Sequence, residues 1–242
     1  DDVRFLDWNV SARTGELHIK RYVEERELTL LIVVDASPSI DFGTTARSKR
    51  ERVAELAAVL AFSAIRNNDK VGAVVFTDNT ELYLAPKKGR RQVPRLIRDI
   101  LYFQPRSRGT NISDAVDYAA RILSRKAIFF VISDFHDDDY LRSISTAARK
   151  HDVIAIEVYD PRERHLPAVG LLEVEDAETG RAAVVDLGGG VSGRFAAEAE
   201  VQTEQRRRAI NASGADYVAV SAGSSPIMPL MELFDRRARR RR

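Results

Sequence analysis

Asp35, Ser37 and Ser39 follow directly on the apolar run Leu28–Val34, setting one carboxylate and two hydroxyls at alternate positions. That spacing can turn several hard oxygens toward one point, and hard oxygens suit hard cations. Two more groups extend the set: Thr110 in Gly109-Thr110-Asn111, just ahead of a helical stripe, and Asp134 in Ser133-Asp134, where another apolar run ends. Mg²⁺ demands near-octahedral oxygen ligation and keeps waters readily. Asp35, Ser37, Ser39 and Thr110, with Asp134 direct or through water, therefore form a candidate shell for Mg²⁺ or Mn²⁺. Taken singly, each residue has a plainer role, because Asp, Ser and Thr after a strand are common helix caps and turn formers. The joint pattern carries the metal reading.

Such residues meet only if the chain brings their loops to one edge. Five short apolar runs are candidates for the strands: LTLLIVV from Leu28, VGAVVF from Val71, AIFFVIS from Ala127, VIAIEVY from Val153 and YVAV from Tyr217. They are continuous rather than alternating and rich in Val and Ile, as strands covered on both faces must be, which predicts a mainly parallel sheet. Between them Val53, Leu56, Ala57, Leu60, Ala61 and Ala64 recur at helical spacing. So do Val93, Leu96, Ile97, Ile100 and Leu101, and then Ala115, Val116, Ala119, Ile122 and Leu123, with a weaker stripe at Leu141, Ile144 and Ala148. The order is β-α-β-α, an α/β fold with helices on both faces. In an open parallel sheet the ligand crevice lies beyond the carboxyl ends of the strands, where all three polar sites fall.

Asp78-Asn79 between VGAVVFT and TELYLAP predicts a two-residue turn and an antiparallel edge strand. LLEVED and RAAVVDL flank AETG and predict a second hairpin, inserted between Tyr159 and a helix expected from about Gly193 to Ala212. Leu187 to Gly193, with four glycines, is the expected flexible link. The domain itself is expected over 28–235, with an accessory segment at 1–27 and an Arg-rich tail at 236–242.

Composition excludes several classes. Of 242 residues 44% are hydrophobic and 31% charged, with 13 Gly and 8 Pro, the balance of a globular protein rather than a disordered or collagen-like one. The longest charge-free stretch, Tyr217 to Met231, is interrupted by Ser, Gly and Pro and falls short of the ~20 apolar residues of a spanning helix, so membrane insertion is not expected. Cysteine is absent, which removes disulfides, thiolate metal sites and thiol nucleophiles and fits a reducing, cytoplasmic setting. The opening Asp1-Asp2-Val3-Arg4 has neither Met nor a signal peptide, so the expectation is a piece of a longer chain. Six of the 38 basic residues lie in the last seven positions; the other 32 against 36 acids leave a body near −4. That tail would serve a polyanion, but it is not interleaved with aromatics, so a frayed, solvated terminus is the expectation and nucleic acid a lesser alternative.

Other chemistry is less well supported. A strand-end Asp can be the nucleophile of a Mg²⁺-dependent phosphohydrolase, and Asp35 is placed for it, but the acid/base carboxylate normally found two residues on is here Ser37. His136-Asp137-Asp138-Asp139 reads as a solvated acidic helix start favoured by the helix dipole. His18, His151 and His165 show no ligand spacing, and Trp8 reads as a packing residue.

DASPS from Asp35, Gly-Thr before a helix, and an Ser-Asp strand end resemble the metal-ion-dependent adhesion site of von Willebrand factor type A domains. The chain is similar in particular to a bacterial and archaeal branch designated domain of unknown function 58 (DUF 58). The segments that carry the likeness are DDVRFLDWNVSARTGELHIKRY from Asp1, DASPSIDFG from Asp35, DKVGAVVF from Asp69, VISDF from Val131, and DPRERHLPAVG with DAETG from Asp160 to Gly180. Ile40 stands where Met often follows the second Ser. The resemblance implies a von Willebrand A-like fold with Asp35, Ser37, Ser39, Thr110 and Asp134 as metal shell. It implies divalent-metal-dependent protein binding rather than catalysis, with a partner's Asp or Glu completing the shell. It also implies, by analogy, an adaptor role for a MoxR-type AAA+ ATPase.

Overall fold

The computed structural model describes Arg13 and residues 27–167, 169–175 and 180–240. The rest of the accessory segment, with Trp8 and His18, residues 176–179 and the final Arg241 and Arg242 lie outside the described residues. Each expected apolar run is a strand: β1 (Thr29–Asp35), β2 (Lys70–Phe76), β4 (Ile128–Ser133), β5 (Asp152–Tyr159) and β8 (Asp216–Ser221), all parallel to their neighbours in that set. β3 (Thr80–Lys87) runs antiparallel to β2 at the edge, as the Asp78-Asn79 turn predicts. The sheet order is β3-β2-β1-β4-β5-β8.

Because side chains alternate across a strand, β1 feeds two cores. Leu30, Ile32 and Val34 pack with α1 (Lys49–Arg66), α2 (Gln92–Leu101) and α7 (Ile227–Arg240) on one face of the sheet. Leu31 and Val33 pack with α3 (Ile112–Ile122), α4 (Tyr140–Ala148) and α6 (Val191–Ala212) on the other. Each such fully buried Val, Ile or Leu contributes roughly 1.5–3 kcal/mol. The interior is therefore what holds the strand ends, and the residues beyond them, in fixed register.

The helix starts are set by local chemistry. Ser48 and Glu51 form a capping box at α1: Glu51 N donates to Ser48 Oγ at 3.2 Å and Ser48 N to Glu51 Oε2 at 2.9 Å. That box makes Lys49 the first helical residue. At α3 the Asn111 side chain accepts from Asp114 N at 2.9 Å, and the Asp137 carboxylate accepts from Ile112 N at 2.8 Å. The acidic run stands at a helix start as expected, with exposed Asp139 the N-cap residue of α4, and Asp137 in addition caps the neighbouring helix α3.

β6 (Leu171–Glu175) and β7 (Ala182–Asp186) form the inserted antiparallel hairpin, outside the main sheet. α6 starts at Val191, two residues before the expected Gly193, with Gly190 at a φ of 83° leading into it. The basic C-terminus differs from a frayed tail: α7 runs on through Arg240, and Arg237 pairs with Asp152 and Asp216 at the amino ends of β5 and β8. A one-turn helix α5 (Pro161–Arg164) and a 3-10 turn at Pro38–Asp41 complete the described elements. No helix among the described residues is long and apolar enough to cross a membrane.

Candidate metal centre

β1 lies between β2 and β4, and the chain reaches those two neighbours by connections that leave it in opposite directions. The carboxyl ends of β1 and β4 are therefore the switch point of the sheet, where a crevice must open. Asp35 is the last residue of β1, level with Phe76 of β2, and the pairing of Val34 with Ile132 puts Ser133 beside it. Asp35 is only 1% exposed. Its Oδ1 accepts from Ser37 N at 2.8 Å and its Oδ2 from Ser133 Oγ at 2.6 Å. Ser37 Oγ and Ser39 Oγ are hydrogen-bonded at 3.0 Å.

Asp35, Ser37, Ser39 and Ser133 are thus one hydrogen-bonded cluster, and the buried Asp134 follows it directly in the chain. Thr110 is half-buried on the adjoining loop. Asn111 N donates to Thr77 O at 2.8 Å, which pins that loop to the end of β2, directly beside β1.

The electrostatics of the cluster favour a cation. Burial, then the nearby charge of Asp134, push the Asp35 carboxyl up to about 7, against the hydrogen bonds from Ser133 and Ser37. Two carboxylates taken out of water side by side repel each other, and a divalent ion between them would relieve both terms. For Asp134 burial also raises, but the Lys49 ammonium and His136 outweigh it and hold the carboxyl below its usual range. Two buried carboxylates with neutral hydroxyls are hard donors of the kind Mg²⁺ or Mn²⁺ takes, so the residues present fit such an ion.

Lys49 and Glu163 are residues that sequence reasoning did not single out. Lys49 has no exposed surface, and its ammonium donates to Asp134 Oδ2 at 2.9 Å and to Glu163 Oε1. The signal available was Ser48-Lys49-Arg50-Glu51, a capping box that places a lysine at a helix start just after the Asp35 loop. Asp134, His136 and Glu163 also bring ligand atoms within 4.8 Å of one another, and the Lys49 ammonium bonds to two of the three. Beside Ser39 a groove of about 910 Å³ opens toward the hairpin, lined by Pro38, Phe42, Leu172, Val185 and Phe195.

A mainly parallel sheet with helices on both faces, an oxygen cluster at its switch point and an inserted hairpin define a von Willebrand A-like domain. The chain belongs to the family described as "Protein of unknown function DUF58", which it matches over residues 1–207. It is 31% identical to the uncharacterized protein Rv1480 of Mycobacterium tuberculosis, over 91% of this chain and 70% of that protein. Among solved structures it is similar to the aerotolerance-related membrane protein of Bacteroides fragilis, with a TM-score of 0.58 and 19% identity over 86% of this chain and 99% of that one. It is similar also to the conserved hypothetical protein BatB of Bacteroides thetaiotaomicron, with a TM-score of 0.53 and 22% identity over 80% and 90%. These two likenesses concern the fold.

Proposed function

We propose that this chain is a divalent-metal-dependent protein-binding module. Asp35, Ser37, Ser39, Thr110 and Asp134 hold Mg²⁺ or Mn²⁺, and a partner's Asp or Glu completes the shell. The observation that carries the reading is the burial of Asp35 and Asp134 together at the switch point, with Ser37, Ser39 and Ser133 hydrogen-bonded around Asp35. Three of the five donors are neutral hydroxyls, so a bound ion retains attraction for a further carboxylate. The apolar groove that begins at Ser39 supports a protein as the ligand, since it offers side chains a place beside the ion. By analogy with its family the partner is a MoxR-type AAA+ ATPase, for which the chain acts as adaptor in the cytoplasm.

A pull-down of such an ATPase on the purified chain tests this. Capture in Mg²⁺ or Mn²⁺, lost in chelator and lost with Asp35→Ala, is the expected result. Capture that ignores the chelator contradicts a metal-bridged contact. Turnover of a phosphoester that disappears with Asp35→Asn would instead make Asp35 a phosphohydrolase nucleophile.

A further inference from the structure

Lys49 is among the large, fully buried side chains, although lysine ordinarily keeps its ammonium in water. Burying that charge is costly unless it is answered, and here two anchored carboxylates answer it. Asp134 is itself buried. Glu163 is fixed by its second oxygen, which accepts from Asp160 N at 2.8 Å in the capping box that begins α5. Asp160, with no exposed surface, is held in turn by Thr44 N at 2.7 Å. With both carboxylates in hydrogen-bond contact, the ammonium is the form of Lys49 that this enclosure holds. The result is a fixed positive charge that touches one of the carboxylates assigned to the metal.

We infer that Lys49 is a resident cation of the metal centre: by holding part of the Asp134 charge it keeps the divalent ion weakly bound until a partner's carboxylate joins the shell. The inference rests on the metal reading above and deepens it. A divalent ion and the ammonium draw on the same carboxylate, and like charges this close repel strongly where water is scarce. Glu163 draws the ammonium the other way, so the two acids divide its charge between them. Removing the lysine charge and removing the Glu163 charge must therefore change metal affinity in opposite directions, which a merely structural ion pair would not do.

Mg²⁺ calorimetry on wild type, Lys49→Met, Glu163→Gln, His136→Ala and Asp35→Ala, each first shown to be folded by circular dichroism, makes the test. Lys49→Met should bind at least about tenfold more tightly and Glu163→Gln about threefold more weakly, since Gln keeps the capping bond and loses only the charge. His136→Ala should bind at least as tightly as wild type. A folded Lys49→Met that binds with unchanged or lower affinity overturns the inference, while loss in Asp35→Ala leaves the metal reading standing. If Lys49→Met does not fold, Glu163→Gln decides, and equal or tighter binding overturns it. Loss of binding in His136→Ala would put the ion in the ammonium's own place among Asp134, His136 and Glu163, against the inference. No binding by wild type or by Lys49→Met removes the metal reading and the inference together.

Discussion

A buried charge changes meaning with what faces it. Asp35 and Asp134 are buried close enough for each charge to act on the other and invite a cation, whereas Lys49 is met by two acids. His151 shows the third case. It is 3% exposed and stacked on Phe129 with centroids 4.4 Å apart, and neither ring nitrogen has a hydrogen-bond partner among the described residues. Burial, helped by the Lys150 charge, pushes its imidazole below the ordinary histidine range. Above about pH 6.5 His151 is neutral in both folded and unfolded chains and has no effect on their balance. Below that, the unfolded chain takes the proton and the folded chain resists it, so stability falls as pH is lowered. Melting curves from pH 7.5 to 5.5 should therefore fall less steeply for His151→Leu than for wild type, and parallel curves would show that the ring is protonated inside the fold. The proposed ligands stood out in the sequence because they lie just beyond an apolar run or just ahead of a helical stripe. Lys49 was not: a lysine at a helix start reads as solvated, and its partners lie 85 and 114 residues away.

Among the elements, continuous Val and Ile runs were readable as covered strands because burial on both faces removes the polar alternation that an exposed face would require. α7 was hidden by its composition. Pro226 and Pro229 look like breakers, yet they fall before and within its first turn, where the backbone N–H has no helical partner to lose. The acidic run at His136–Asp139 was legible as the start of α4 but not as the cap of a different helix, since that depends on how α3 and α4 pack. Gly72 carries a consequence of the same kind. It lies in β2 where the pairing with β3 shifts register between Val71 and Ala73, and a Cβ there would sit 2.6 Å from Leu84 O and 2.8 Å from Pro86 N. Because the obstacle is backbone, Gly72→Ala should lower stability by about 1–3 kcal/mol. Denaturant melts of the two proteins measure this, and an unchanged midpoint would mean that β3 can move aside at no cost.

Over the whole molecule, the two cores and the central place of β1 put three loops from distant parts of the chain on one edge. The opposite edge is tied down by Arg237 on Asp152 and Asp216, which makes the basic C-terminus part of the domain through Arg240. The hairpin stands apart from the sheet and its apolar residues face the groove that starts at Ser39. That arrangement, a candidate cation site with an apolar trough beside it, is the physical case for the proposed protein ligand. Its first requirement is the ion itself. Calorimetric titration of Mg²⁺ and Mn²⁺ into the folded wild type, Asp35→Ala and Thr110→Val tests it most directly. The account predicts binding by wild type and its loss in both variants, and a folded wild type that binds neither ion, or variants that bind as well as it does, would contradict it.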